Sequence, residues 1–226
     1  MTDTNQALER TAVPVRLRRA RLGEQLRPAI LGVVVLTLLT GCGFPLLLFA
    51  IGPSLFPHQA SGSLLRRGGL VIGSKLISQE FTRPEYFQPR PSAAGGGYDG
   101  TSSGGTNLGP NNFRLRNGAA GFAGIRQLAE EYRQNNNLAT GTPIPIDAAT
   151  RSGSGLDPDI SPANAALQIP RIARARGLSE GVVAQLVTNH TTGRQFGFLG
   201  NPRVSVLELN LALDQLPNQA TPSRLR

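Results

Sequence analysis

Residue types that often carry out chemistry are few in this sequence. Cys42 is the one thiol, and His58 and His190 are the two imidazoles, so neither a disulfide nor a Cys/His zinc site can be assembled within the chain. His190 could activate a serine with help from Asp147 or Asp157, but no nucleophile-elbow motif accompanies it. We therefore interpret His190 as a residue that stabilises the C-terminal end of a helix.

Phosphate-binding motifs are equally weak. A Walker loop needs Gly-Lys-Ser/Thr, whereas Lys75, the only lysine, is neither preceded by glycine nor followed by Ser or Thr. The SGSG segment at 152–155 could present backbone amides to an anion, but such segments are usually turns. Asp157 and Asp159 could form a carboxylate pair, although a Leu-Asp-Pro-Asp sequence is more typical of turn formation. The sequence therefore predicts a chain without an active site of its own.

A long uncharged segment near the N-terminus determines where the rest of the chain is held. Residues 29–51 (AILGVVVLTLLTGCGFPLLLFAI) are 23 residues without a charge. As a helix they would extend about 35 Å, enough to cross a hydrocarbon core of about 30 Å. Six Arg residues precede the segment, and only Arg66 and Arg67 follow within about 20 residues, which predicts a cytoplasmic N-terminus. We expect a cytoplasmic segment at 1–28, a transmembrane helix at 29–51 and an outer domain at 52–226.

An alternative is that the chain is a lipoprotein. Residues 39–42 (LTGC) resemble the lipobox of bacterial lipoproteins and follow basic residues and an apolar stretch. In that case Cys42 is lipidated, and the chain is a lipid-anchored binding protein. The apolar run continues nine residues beyond Cys42 to Ile51, however, whereas a released lipoprotein normally begins with a polar tether. We therefore favour the transmembrane helix.

The net charge of +9 raises the hypothesis of nucleic-acid binding. The charge is divided, because residues 1–28 carry +3 and residues 52–226 carry 17 basic against 11 acidic residues, or +6. Apart from Arg171, Arg174 and Arg176 the outer Arg residues are scattered, and no aromatic residue is interleaved with these three. We predict that the trio is a solvated helix face and that the chain binds no nucleic acid.

The outer part is predicted to be a mixed α/β (α+β) domain. Residues 89–112 are rich in Gly and Ser, a composition typical of a flexible loop. The remaining segments are predicted, in chain order, as a buried strand at 70–72, a helix at 74–81, a helix within 113–136, a strand at 144–149, a helix at 162–176, a helix capped by Ser179 and a helix within 204–213.

Capping residues mark two more of these helices. Ser161 is predicted as an N-cap and Gly177 as the residue that ends the same helix. The alternating apolar residues of 204–213 also fit a strand. Ser205 and Glu208, however, have the spacing of a capping box, so we predict a helix there.

Several longer motifs resemble the KdpC family. They are residues 27–29 (RPA), 40–41 (TG) before 44–45 (FP), 88–93 (QPRPSA), 103–110 (SGGTNLGP), 152–161 (SGSGLDPDIS), 198–200 (FLG) and 204–210 (VSVLELN). KdpC is the C subunit of the bacterial Kdp potassium-importing P-type ATPase, and the resemblance covers residues 26–216. Ser205 departs from the family pattern, which usually has Asn there, but both residues are good N-caps.

The resemblance implies a non-catalytic, single-pass subunit of the bacterial inner membrane with a periplasmic main domain. Its implied partners are a channel-like potassium-translocating subunit, an ATP-hydrolysing P-type subunit and a very small peptide subunit. Its implied role is to stabilise the complex and, as a catalytic chaperone, to raise the pump subunit's affinity for ATP; it binds no cofactor alone. Gln168 matches a position that the family links to nucleotide contact. If the domain is periplasmic, however, about 30 Å of hydrocarbon separates Gln168 from cytosolic ATP.

Residues expected to contact the other subunits fall into two groups. Small residues in the membrane segment allow close approach of a neighbouring helix, and the loop at 89–110 is expected to dock the outer domain on the external face of the channel-like subunit. The candidates are Gly32, Gly41, Gly43 and Pro45 in the membrane segment and Arg90, Pro91, Asn107 and Asp157 in the outer domain.

Overall fold

The computed structural model describes residues 22–216, which form two compact units that meet between Ala60 and Ser61. The first contains a helical segment of 34 residues, Leu22–Leu55, long and apolar enough to cross a membrane. The predicted span lies inside this segment, which fits a single-pass membrane protein. Its parts are α1 (Leu22–Leu36), a π-helical segment (Thr37–Gly43) and α2 (Phe44–Leu55), and α3 (Pro57–Ala60) follows.

Pro45 explains the π-helical segment. Its nitrogen has no hydrogen to donate, and its ring crowds the carbonyl of Gly41, four residues earlier. The helix widens immediately before it, and the amide of Phe44 donates to the carbonyl of Leu39, five residues back. The hydroxyl of Thr40 also donates to a carbonyl one turn earlier, at 2.6 Å. The helix therefore continues through the proline.

The second unit begins with a β-hairpin. β1 (Leu64–Arg67) pairs antiparallel with β2 (Leu70–Ser74). The glycine pair at 68–69 has φ values of 59° and 84°, as a tight hairpin turn requires. The strand predicted at 70–72 is confirmed, but its predicted burial is wrong because Leu70 is 75% exposed.

The helix predicted at 74–81 is wrong. Ser74 ends β2, and its hydroxyl accepts a hydrogen bond from the amide of Leu76 at 3.1 Å. The amide of Lys75 donates to the carbonyl of Ser63 at 3.0 Å. These bonds close a turn, so the helical spacing of the apolar residues has no effect there.

Two helices replace the single one predicted within 113–136. α4 (Phe113–Asn117) and α5 (Ile125–Asn135) are separated by glycines in the left-handed region, Gly118 at φ 86° and Gly121 at φ 71°. A right-handed helix cannot continue through this backbone conformation, which other residues adopt only at a cost.

The strand predicted at 144–149 is also wrong. Residues Ile146–Ala149 form the one-turn helix α6, which Pro145 precedes with extended backbone angles. The isoleucines of a short apolar run fit either structure, and here the proline starts a helical turn.

The C-terminal part confirms the mixed α/β prediction. Its elements in chain order are β3 (Asp159–Ile160), α7 (Pro162–Arg176), α8 (Glu180–Asn189), β4 (Thr191–Thr192), β5 (Arg203–Ser205) and α9 (Val206–Leu213). The strands form an antiparallel sheet in the order β3-β5-β4, in which Val204 lies opposite both Ile160 and Thr191.

Helix capping follows the sequence at Ser161 and Ser179 but not at Ser205, and the hydroxyl of Ser179 accepts from the amide of Val182 at 3.3 Å. The hydroxyl of Ser161 accepts from the amide three residues on at 3.1 Å, and Gly177 ends α7 with φ 67°. The predicted capping box is wrong, because Ser205 lies in β5 and makes no capping hydrogen bond. Glu208 instead pairs with Lys75 at 2.8 Å, so α9 begins at a strand end.

The hydrophobic core is enclosed by α7, α8, α9 and the three-stranded sheet. Its fully buried large side chains are Phe87, Ile160, Ile172, Val183, Val204, Leu209 and Leu213. Phe87 differs from the others, because it belongs to neither a helix nor a strand.

Candidate functional site

Residues 84–88, here called the strap, contact α7 and α9 without forming a helix or strand. Phe87 is fully buried, and its amide donates to Asn210 Oδ1 at 2.8 Å. Its carbonyl accepts from Asn210 Nδ2 at 2.9 Å. The amide side chain of Asn210, 1% exposed, thus replaces a neighbouring strand as the partner of the strap backbone.

Gln168 on α7 holds the next residue of the strap in the same way. Its Oε1 accepts from the amide of Gln88 at 2.8 Å, and its Nε2 donates to the carbonyl of Gln88 at 3.1 Å. Oε1 also accepts from Arg171 at 2.8 Å, and Nε2 donates to Asn164 Oδ1 at 2.9 Å. The amide of Gln168 is 0% exposed and uses its full hydrogen-bonding capacity inside the domain.

Arg171 fixes the beginning of the strap. It is 6% exposed and donates to the carbonyls of Pro84 and Tyr86 and, at 2.9 Å, to Asn136 Oδ1. Burial lowers the pKa of its guanidinium. The predicted solvated face is therefore wrong at Arg171, because backbone carbonyls take the place of water around the charge.

Arg176, one helical turn beyond, is buried as well. It donates to the carbonyl of Glu85 at 2.8 Å, to the carbonyl of Leu213 at 3.1 Å and to Asp214 Oδ1 at 3.0 Å. Of the trio, only Arg174 is exposed, as the sequence predicted. A helix face with three Arg residues is thus divided between the interior and the solvent.

Asp214 completes this end of the network. Tyr86 donates its hydroxyl to Asp214 Oδ1 at 2.9 Å, and the guanidinium of Arg176 lies 4.9 Å from the centre of the Tyr86 ring. Burial alone would raise the pKa of Asp214, but the hydrogen bonds from Arg176 and Tyr86 outweigh it and lower the pKa. The carboxylate therefore stays charged in the folded domain at neutral pH.

A second polar group joins α5 and α6 to the start of α7. Asp147 accepts from the Ser161 amide at 2.8 Å, the Ser161 hydroxyl at 2.9 Å and Asn164 Nδ2 at 3.0 Å. Tyr132 donates to Asn164 Oδ1 at 2.8 Å, and burial raises the pKa of its hydroxyl. His190 Nδ1 lies 2.9 Å from a carbonyl near the end of α8, the helix-end position that the sequence suggested.

Two of the outer contact candidates lie together. Arg90 donates to Asp157 Oδ2 at 2.8 Å, and the other oxygen of Asp157 accepts from the amide of Asp159 at 3.1 Å. Pro91 follows Arg90 and is half-buried, whereas Asn107 is exposed with φ 50°. The pair between Arg90 and Asp157 fastens two segments, 89–109 and 150–157, here called the loop cluster.

Short backbone contacts complete the loop cluster. The Ser92 hydroxyl donates to the carbonyl of Gly155 at 2.6 Å, and the amide of Gly104 donates to the carbonyl of Ser154 at 2.9 Å. Gly155 has φ 70°, and a Cβ there would lie 2.5 Å from the Gly104 oxygen. Tyr98 donates to the carbonyl of residue 90 at 2.8 Å, and burial raises its pKa to about 12. Residues 89–112 form no helix or strand, as composition indicated, yet part of them is packed.

A groove of about 520 Å³ lies beside the loop cluster. Charged residues of both signs line it, among them Glu80, Glu131 and Arg151, together with the rings of Tyr98 and Tyr132. Among residues 22–216, no group of three or more His, Cys, Asp or Glu side chains could hold a metal ion. The mixed lining selects no single ligand chemistry.

The membrane candidates all lie on the helical segment. Gly32 belongs to α1, Gly41 and Gly43 to the π-helical segment and Pro45 to α2. A Cβ at Gly41 would lie 3.8 Å from its nearest neighbour and one at Gly43 3.6 Å, both ordinary contacts. This helix alone therefore does not require glycine at these positions.

Comparison with known proteins decides the family. The sequence model of KdpC, described as K+-transporting ATPase, c chain, matches residues 26–215. The chain belongs to the KdpC family. It is 50% identical over 192 residues to the potassium-transporting ATPase KdpC subunit of Mycobacterium tuberculosis H37Rv, covering 85% of this chain and 98% of that protein. The KdpC subunit of Koribacter versatilis is 47% identical over 194 residues, covering 86% and 96%.

Membership of the KdpC family confirms the resemblance and gives no support to the lipoprotein alternative. Cys42 lies within a helix that continues to Leu55, without the polar tether of a processed lipoprotein. The sequence did not predict that Asn210 and Arg176 form hydrogen bonds with the backbone of the strap. Asn210 could have been found because it is a polar residue among the leucines of a mostly apolar helix. A polar side chain buried at such a position needs a hydrogen-bonding partner inside the domain.

Proposed function

We propose that this chain is the accessory KdpC subunit of an ATP-driven potassium-import complex. It stabilises the assembly and raises the pump subunit's affinity for ATP without catalysing a reaction itself. One observation carries the proposal: polar side chains in the region of family resemblance form their hydrogen bonds within the domain itself. Gln168 and Asn210 hold the strap, and Arg90 with Asp157 holds the loop cluster. Such an arrangement supports a rigid docking surface rather than a reaction centre.

The proposed partners are the channel-like potassium-translocating subunit, the P-type ATP-hydrolysing subunit and the very small peptide subunit. Relatives named as subunits of a potassium-transporting ATPase support this assignment. The charge of +6 on residues 52–226 argues against a domain that collects K⁺, because a positive field lowers the local cation concentration. We therefore favour a clamp on the outer face of the channel-like subunit.

The function is tested on the assembled complex, purified with and without this chain. We expect omission of the chain to lower the yield of the other subunits as one particle and to raise the KM for ATP of what remains. An unchanged KM and an unchanged yield would contradict the proposal.

The membrane contact is tested by Gly41→Leu combined with Gly43→Leu. Because the helix itself accommodates a Cβ at both positions, loss of co-purification would report on a neighbouring helix that approaches closely. Gly52→Leu, in the same helix, is the matched control. Equal yields of the complex from the double variant and from the control would count against this contact.

The outer contact is tested by Asn107→Gly. Asn107 is exposed and has φ 50°, so glycine removes the side chain and keeps the backbone conformation. We expect an unchanged thermal midpoint of the isolated chain and a weaker complex. A complex of normal stability would remove Asn107 from the proposed interface.

The proposed orientation places the N-terminus in the cytoplasm and residues 52–226 in the periplasm. The Arg residues that precede the membrane segment support it. Protease added to intact spheroplasts should then digest the domain. Survival of the domain until the membrane is dissolved would reverse the orientation, and with it the argument that separates Gln168 from cytosolic ATP.

A further inference from the structure

The loop between β4 and β5 carries a cluster of exposed apolar side chains. Its turn, residues 195–199, is here called the apolar tip. The backbones of Gln195 and Leu199 exchange two hydrogen bonds of 2.9 Å, so the turn is closed. Phe196 is 84% exposed, Phe198 72% and Leu199 52%. Three large apolar residues on one five-residue turn exceed the scattered exposure that is normal for a protein surface.

The backbone of the apolar tip is unfavourable for the residue it holds. Phe196 has φ 53° and Gly197 φ 81°, two consecutive positive values as a type I′ turn requires. Asn is preferred at the first of these positions, whereas a bulky side chain is strained there. Folding of the domain therefore does not explain the phenyl ring at residue 196, and strain of this kind is typical of functional positions.

The loop that carries the apolar tip contributes charged residues of one sign only. Between Gly193 and Arg203 the sequence contains Arg194 and Arg203 and no acidic residue. Arg203 pairs with Asp159 at 3.0 Å. Arg194 is exposed, and the ion pairs found within residues 22–216 do not include it. Exposed phenyl rings beside an unpaired guanidinium are complementary to a surface that has an apolar interior covered by negatively charged groups.

We propose that the apolar tip inserts into the interface of a bilayer that contains anionic phospholipid. Phe196 and Phe198 enter the boundary between headgroups and acyl chains, and Arg194 binds lipid phosphate. The domain begins at Ser61, and only residues 56–60 separate it from the end of the helical segment at Leu55, so the chain's own anchor keeps a bilayer at high effective concentration. A contact of two rings and one charge, too weak to recruit a free protein, is then sufficient.

The proposal is tested on the full chain, reconstituted alone into vesicles. In a Cys42→Ser background, Phe198→Cys is labelled with an environment-sensitive fluorophore, and lipids with brominated acyl chains serve as quenchers. Phe113→Cys is the matched control, because Phe113 is 75% exposed on α4. Tyrosine fluorescence verifies that both labelled variants are folded.

In vesicles of phosphatidylcholine and phosphatidylglycerol we expect quenching at position 198 to exceed that at position 113. Adding Arg194→Gln should lower the inserted-to-free ratio about fivefold, as expected for one cation near an anionic surface. In phosphatidylcholine alone this effect of Arg194→Gln should vanish. Equal quenching at the two positions, or quenching that does not depend on phosphatidylglycerol, would overturn the proposal. So would a label that becomes shielded only when the other subunits of the complex are added, because the occupant would then be a protein surface.

Discussion

The strap and the apolar tip both depart from the usual pattern of apolar residues inside and polar residues outside. Polar side chains are buried at the strap, and apolar side chains are exposed at the tip. Around the strap, Gln168 and Asn210 are almost completely buried together with a cation, Arg171. At the apolar tip, the rings of Phe196 and Phe198 face solvent. The difference lies in the partners, because the domain supplies every partner of the buried polar groups and covers little of the exposed rings.

This contrast separates self-contained structure from a surface that needs something outside the domain. Buried polar groups are tolerated only when they are hydrogen-bonded, so residues that hold the strap should matter for folding. Exposed apolar residues contribute little to folding, so residues of the apolar tip should matter for association alone. The following predictions test that division, and in each the tyrosine signal reports on the domain, because no Trp is present and all three Tyr residues lie beyond residue 60.

The largest expected effect is that of Arg171→Met. The substitution leaves the carbonyls of Pro84 and Tyr86 and the side-chain oxygen of Asn136 without their donor inside the domain. We expect a loss of about 4 kcal/mol in the free energy of unfolding, measured by urea denaturation of the full chain in detergent. Arg174→Met on the exposed side of α7 is the control and should change it by less than about 0.5 kcal/mol. Similar losses for the two variants would mean that the strap is not held by buried charge.

Gln168→Leu comes next, with an expected loss of about 2 kcal/mol, because the amide and carbonyl of Gln88 lose their partner. Gln185→Leu, exposed on α8, is the matched control and should be neutral. The KM for ATP of the complex distinguishes the two roles of Gln168. If the role of Gln168 is structural, the KM for ATP should rise only under conditions in which the Gln168→Leu domain unfolds. In a complex that remains intact, the KM should be unchanged. A raised KM in an intact complex would support the nucleotide contact that the family resemblance implied.

The sequence predicted best the elements whose determinants are local. The membrane helix follows from uncharged composition, and α7 from a serine cap and a terminal glycine, Ser161 and Gly177. The mixed α/β class and the KdpC family were also readable. For the membrane helix and for α7, the deciding residues lie within or beside the helix that they define.

The strap could not be predicted, because its partners are distant in the chain. Phe87 pairs with Asn210 across 123 positions and Gln88 with Gln168 across 80, and neither pair produces a local pattern. The same limitation explains the error at Arg171, whose spacing is that of a solvated face although carbonyls from residues 84 and 86 surround it. Periodicity indicates which residues share a face, but not what covers that face.

Acid should weaken the end of the strap through Asp214. Its pKa lies below the usual 3.8, so its contribution to stability is present at neutral pH and is lost as the pH falls through the folded value. Asp214→Asn should therefore cost about 1 kcal/mol at neutral pH and make unfolding less dependent on acidic pH. The pKa of Asp159 shifts in the opposite direction, because burial raises it. Asp159→Asn should therefore not destabilise the domain at neutral pH. The comparison uses urea midpoints at several pH values, and equal losses for the two variants would contradict it.

The smallest effect belongs to the apolar tip and should have the opposite direction. Phe196→Asn places Asn-Gly at two left-handed positions, the pair that type I′ turns prefer, and removes a ring that packs on little. We expect a gain of about 0.5 kcal/mol in the free energy of unfolding, together with reduced quenching of a label at position 198 by brominated lipid. Phe87→Asn is the contrasting variant at the strap, where the same substitution buries an amide in the core and should unfold the domain. A destabilised Phe196→Asn domain would show that the ring at residue 196 contributes to folding, and the division between the self-contained strap and the partner-dependent tip would fail at that residue.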